Sequence, residues 1–117
     1  FCQAHHKALL IALLCPTATR QLLRGERRYD QQIADDVAHS GLPYFDMNRA
    51  HLEDYAAFDL SVEDYMARYY IGHYNPLGNH LFAFSIKDAL VEWLNPKPIT
   101  YRDDESAAFD FQQYLSY

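Results

Sequence analysis

Long apolar runs are missing from this chain of 117 residues. A membrane-spanning helix needs roughly 18 consecutive apolar residues, and the longest candidate, residues 8–15, stops at Pro16. No membrane span is expected, and the chain reads as soluble. Cysteine is scarce too. Cys2 and Cys15 are the only two, their separation matches no zinc-ligand pattern, and nothing in it favours a disulfide. Cys15 ends the apolar run and reads as a small buried hydrophobe. Positive charge also falls short: ten Lys and Arg against 16 Asp and Glu leave a net charge of -6, whereas nucleic-acid modules normally present a basic face. No nucleic-acid partner is expected. The local excess of Lys7, Arg20, Arg24, Arg27 and Arg28 over Glu26 reads as a solvated helix face. Internal repeats and low-complexity tracts are absent, as are a first methionine and a charged, then apolar, leader. The chain opens at Phe1, and the expectation is a trimmed piece of a longer protein.

What is present suffices for one packed domain: half of the residues are apolar and 15% are aromatic. Residues 1–7 read as the tail of a helix, with His5, His6 and Lys7 suited to its last turn. Residues 8–14 form a continuous apolar run of strand length, the pattern of a strand buried on both faces in a parallel sheet. Thr17 or Thr19 can cap a short helix that runs to Arg24 and stops at Gly25. Over residues 27–40, Tyr29, Ile33 and Val37 recur four apart and predict a crossover helix with that face on the sheet, ended by Gly41. Residues 42–47 read as a second strand. Strand, helix and strand make a βαβ unit with parallel strands. In such sheets ligands gather beyond the carboxyl ends of the strands, where Asp46 lies; the competing reading of Asp46 is a helix N-cap.

Two short helices are predicted over residues 49–57 and 62–70, with Ser61 or Asp59 as the cap between them. Tyr55, Phe58, Tyr65, Tyr69, Tyr70 and Tyr74 make this stretch dense in amphipathic rings, read as core before pocket lining because of the area each ring buries. Asn75 as N-cap and Pro76 at the first helical position then open a long helix. Its apolar residues Phe82, Ile86, Leu90 and Trp93 share one stripe, and Lys87, Asp88 and Glu92 lie off it. His73 therefore sits on an irregular loop two residues before the cap, near the positive end of that helix's dipole. A neutral imidazole on an anchored loop is what general-base chemistry requires. Asn95, Pro96, Lys97 and Pro98 cannot continue the helix. Residues 99–102 read as a surface strip, and residues 103–117 as an acidic, aromatic tail.

The block His73-Tyr74-Asn75-Pro76-Leu77-Gly78-Asn79-His80-Leu81-Phe82-Ala83 resembles the last motif of the SGNH (GDSL-type) hydrolases. In that family a histidine is followed five residues later by glycine and then by a helix, and the histidine activates a serine for ester hydrolysis. His73 and Gly78 match this pattern. The resemblance, over about residues 8–101, implies the closing part of a flavodoxin-like three-layer α/β sandwich, here incomplete: a βαβ unit with parallel strands plus C-terminal helices. Residues 1–102 would be the C-terminal portion of that domain and residues 103–117 a tail. The family usually carries aspartate three residues before the histidine, where this chain has Tyr70. That leaves a serine–histidine dyad, an acid recruited from Asp46 or Asp64, or a site without activity. Asp46 is preferred, with His73 and Asp46 as the catalytic candidates and His73 expected at the sheet's carboxyl edge within reach of a carboxylate. Ser40, Ser61, Ser85, Ser106 and Ser116 all lack the family's Gly-Asp-Ser context, so the nucleophile is expected outside this chain and the chain alone is expected to be inactive.

The implied partner is a small-molecule ester, with no cofactor and no resident metal. Two other functions stay open. One is a non-catalytic α/β interaction domain that uses the tyrosines and the acidic tail to bind a protein. The other is a metal site built from His73, His80 and a carboxylate such as Asp46, although a separation of seven positions between the histidines is no standard zinc spacing. A sheet of two strands would leave open edges, so the isolated chain is expected to self-associate or to form a molten, dye-binding state unless a partner covers the edge.

Overall fold

The structure is a computed structural model that describes residues 2–5 and 8–94. The expectations for residues 95–117 lie outside the described residues. A single 3-10 turn, Gln3–His5, stands where the tail of a helix was expected. The chain then builds β1 (Ile11–Leu13), α1 (Pro16–Leu23), α2 (Gln31–His39), β2 (Tyr44–Asp46), α3 (Met47–Tyr55), α4 (Val62–Tyr69) and α5 (Pro76–Leu94). Among the described residues this is a mixed α/β arrangement of five helices and one two-stranded parallel sheet. Ile11, Ala12 and Leu13 lie opposite Tyr44, Phe45 and Asp46. None of these helices is long and apolar enough to cross a membrane.

The helix ends follow local chemistry. Pro16 opens α1 at the first helical position, one step before the expected threonine caps, because its missing N–H costs nothing there. The chain leaves α1 through Gly25 at φ 71°, a left-handed conformation that glycine adopts without strain. Ser61 caps α4: its hydroxyl accepts from Asp64 N–H at 3.1 Å and donates to the Asp64 carboxylate at 2.7 Å. Asn75 Oδ1 accepts from Gly78 N–H at 2.9 Å and caps α5. Asp46 caps α3 through Asn48 N–H at 3.1 Å.

The core lies between helices rather than over the sheet. Leu23 of α1 packs with Tyr65, Met66 and Tyr69 of α4, and Tyr55, Phe58, Val62, Tyr70 and Leu81 close around them. The expected face of α2 is not on this core. Tyr29 is 65% exposed and Ile33 57%, Val37 is only half-buried, and α2 buries no residue. Tyr29 precedes the N-cap Asp30, so it does not belong to the helical stripe that its spacing suggested. The strands are also shorter than their apolar runs, and Ala12 is exposed. With one neighbour each among the described residues, they are not buried on both faces. The stripe on α5 is partly used: Ile86 is buried and Phe82, Leu90 and Trp93 are half-buried.

Two polar knots tie the helices to the sheet. Asn48, fully buried at the start of α3, accepts from Cys15 N–H and Thr19 Oγ1, each at 2.9 Å. Its amide donates to Leu13 O at 3.3 Å and Asp46 Oδ1 at 2.9 Å. One side chain thus joins the end of β1, the start of α1 and the end of β2. Arg28 makes the second knot. It is 3% exposed, forks onto the Asp30 carboxylate at 2.6 and 2.9 Å and pairs with Asp46 Oδ2. It is therefore no part of a solvated basic face. The Asp30 bond, with Asp46 behind it, raises the Arg28 pKa, and Arg28 in turn lowers that of Asp30. Removing one member of a buried pair strands the other charges, so Arg28→Met should lower stability by about 3–5 kcal/mol. Urea unfolding at pH 7 measures this, and a loss under about 1 kcal/mol, the range of exposed pairs, would contradict it.

Candidate functional site

A dense polar cluster surrounds His51, which lies on the inner face of α3 and is fully buried. Four tyrosine rings, Tyr65, Tyr69, Tyr70 and Tyr74, lie with centroids 5.5 to 5.8 Å from the imidazole. Its Nδ1 is 3.0 Å from Tyr65 Oη, and its Nε2 is 2.6 Å from Tyr74 Oη and 3.2 Å from Tyr70 Oη. Proton counting sets the directions. The Asp54 carboxylate offers acceptors only, and it takes the hydroxyls of Tyr65 at 2.9 Å and Tyr69 at 2.7 Å. The one proton of Tyr65 faces the Asp54 carboxylate and, at 3.0 Å, the His51 carbonyl oxygen, both of which only accept, so Tyr65 Oη accepts from His51 Nδ1–H. Nε2 then carries the lone pair, and the nearer hydroxyl, that of Tyr74, donates to it.

Burial lowers the His51 pKa from 6.5 to about 4, with the Asp54 charge opposing the shift. Burial likewise raises Tyr65, Tyr69, Tyr70 and Tyr74, so these hydroxyls keep their protons. The tyrosines are core, as expected, but core with hydroxyls satisfied by a histidine and an aspartate. The sequence carried a cue to this site: His51 and Asp54, three apart on one helix face, beside a tyrosine-rich stretch.

His73 lies on the loop that joins α4 to α5. Tyr70 and Tyr74 form an antiparallel bridge across the loop's base. Ile71 N–H donates to His73 O at 2.8 Å, and Asn75 N–H donates to Tyr69 O at 3.0 Å. The His73 side chain is exposed, and its Nδ1 lies 2.8 Å from Tyr74 O. A carbonyl oxygen can only accept, so Nδ1 carries the hydrogen. Nε2 makes no hydrogen bond among the described residues. Behind the loop, α5 comes very close: a Cβ on Gly78 would lie 2.6 Å from Tyr69 O and 2.5 Å from Tyr74 Cδ1. Only glycine fits there without displacing backbone.

The two catalytic candidates are not hydrogen-bonded to each other. Asp46 does stand at the carboxyl end of β2, but its oxygens serve Arg28 and Asn48. Asp64 belongs to the cap of α4. Cys15, half-buried rather than fully buried, occupies the N-cap position of α1 without a side-chain capping bond, its Sγ 3.2 Å from Tyr29 Oη. Among the described residues no three His, Cys, Asp or Glu side chains gather into a group able to hold a metal ion, so His73, His80 and Asp46 do not assemble one. A cleft of about 630 Å³ runs between β2, α3 and α5, lined in part by Tyr44, Arg49, Glu53, Leu81, Phe84 and Lys87. No family model, curated protein or solved structure matches this chain.

The His51 cluster makes stability depend on pH. Between pH 6.5 and 4 the unfolded chain takes up a proton on His51 that the folded chain does not. The contribution of neutral His51 is therefore full above about 6.5 and shrinks as pH falls, by about 3 kcal/mol at pH 4. Urea unfolding of the parent and of His51→Gln from pH 7 to 4 should show the parent losing this extra amount. Equal slopes would mean that His51 is protonated in the fold.

Proposed function

We propose that this chain is the carboxy-terminal part of an SGNH-type ester hydrolase and supplies its general-base histidine, His73. The observation that carries the reading is the His73 ring itself: exposed, held at Nδ1 by the Tyr74 carbonyl, with Nε2 left as the acceptor. A base needs this tautomer to take the proton of a serine hydroxyl during attack on an ester carbonyl. Gly78 supports the same reading, since the glycine five residues after the histidine stands where any side chain would collide with the Tyr69 carbonyl.

The carbonyl also bears on Tyr70, which occupies the place of the family's usual acid. With Asp46 engaged by Arg28 and Asn48, the serine–histidine dyad fits the geometry better than a triad through Asp46. The Tyr74 carbonyl orients the ring, but it lacks the full negative charge that would stabilise an imidazolium. The serine would come from residues outside this chain, and the substrate would be a small-molecule ester. The βαβ unit would be one edge of a larger flavodoxin-like three-layer sandwich.

A second reading, a protein-interaction domain, is favoured by one observation. Leu77, Phe84 and Val91 recur every seven residues on α5 and are exposed. The two readings separate in fluorophosphonate labelling of the full-length protein that contains this segment. One labelled serine, with labelling lost in His73→Ala, is expected; absence of labelling in the parent protein would favour the interaction domain. The isolated chain should hydrolyse no ester and should sediment as oligomers through its open sheet and apolar α5 face.

A further inference from the structure

We propose that His51 is the positioning residue for the loop that carries His73, because its Nε2 holds the hydroxyl of Tyr74 and lies beside that of Tyr70, the two residues that close the loop. This deepens the hydrolase reading and rests on it for its functional meaning. The geometry stands independently of that reading. Tyr70 ends α4 as its C-cap and Tyr74 precedes the cap of α5, so the chain between them is a three-residue excursion, held to the imidazole by the Tyr74 hydroxyl with that of Tyr70 beside it.

The pin is built from rigid parts. His51 projects from the middle of α3, and its opposite nitrogen is tied through Tyr65 to Asp54, one turn further along the same helix. Tyr65 and Tyr69 come from α4, so the imidazole is held by the helix that leads into the loop as well as by the one beneath it. A ring bonded at both nitrogens cannot rotate about χ2 without breaking both bonds. Tyr74 is the residue whose carbonyl receives His73 Nδ1–H. Its hydroxyl sits on His51 at 2.6 Å, so one side chain and its own backbone carry the position of His51 to that of His73. The two histidines never touch: His51 is fully buried and His73 is exposed. His51 therefore acts on His73 by fixing Tyr74, not by exchanging protons with substrate.

A packing residue and a positioning residue differ in which amides they protect. The test is amide hydrogen exchange on the full chain, comparing the parent with His51→Phe, His51→Gln and Tyr74→Phe. Gln can place an acceptor oxygen near the position of Nε2, and Tyr74→Phe removes only the loop's own hydroxyl. In His51→Phe and Tyr74→Phe the amides of Ile71 and Asn75 should exchange about five- to tenfold faster, the equivalent of one lost hydrogen bond, while in Tyr74→Phe, which leaves the His51–Tyr65 bond to α4 intact, the amides of α1 and α4 hold their rates. In His51→Gln the loop rates should return towards those of the parent. Unchanged loop amides in Tyr74→Phe, a uniform acceleration across all helices in that variant, or a Gln variant as fast as Phe would each overturn the proposal. These outcomes do not depend on ester chemistry. If the full-length protein takes no fluorophosphonate label while the exchange pattern holds, the hydrolase reading fails and the loop clamp stands.

Discussion

A neutral imidazole sealed among four tyrosines is the constraint on which most of this structure depends. Full burial removes every water that could satisfy a ring nitrogen, so protein hydroxyls must do so. Both nitrogens find them. This couples α3 to α4 through Tyr65, and to the α4–α5 connection through Tyr74. It also fixes a single tautomer, since the Asp54 carboxylate at the far end accepts and never donates. The same burial that makes the cluster cohesive makes it sensitive to acid, because a proton on His51 would bring a charge into an environment with little water to solvate it.

A different balance operates at the sheet. Two strands of three residues provide few ladder bonds, and the apolar core lies elsewhere. Their pairing leans on Asn48, which spends all its amide capacity on the ends of β1, α1 and β2, and on Arg28, which draws Asp30 and Asp46 together. Asp46 is thus both a helix cap and a charge partner. Such double use explains why a carboxylate at the carboxyl edge of a parallel sheet need not be free for His73.

Much of this layout was legible in the residues. Asn75-Pro76 announced the start of α5, Ser61 the cap of α4, and the two apolar runs a parallel pair, because caps, proline and strand-length runs act locally. The orientation of α2 was not legible, since Tyr29 lies outside the helix and the four-residue spacing joined it to Ile33 by coincidence. Arg28 looked like one basic residue among several. Its burial comes from Asp46, 18 positions away, a contact that no local pattern encodes. His51 was passed over for a related reason: a histidine inside a short helix signals little until Tyr65, Tyr70 and Tyr74 fold over it. His73 drew attention through its motif and the cap beside it, whereas the Tyr74 carbonyl at its Nδ1 became visible only in the fold of the loop.

The tautomer and charge of His51 can be read directly. Long-range ¹H–¹⁵N correlation spectra of the imidazoles, recorded on the full chain at pH 5.5, should show one histidine that remains neutral with its proton on Nδ1, assigned to His51 by its loss in His51→Gln. A His51 ring that is cationic at that pH, or neutral with its proton on Nε2, would contradict the account of a buried neutral imidazole that donates from Nδ1 to Tyr65 and accepts from Tyr74.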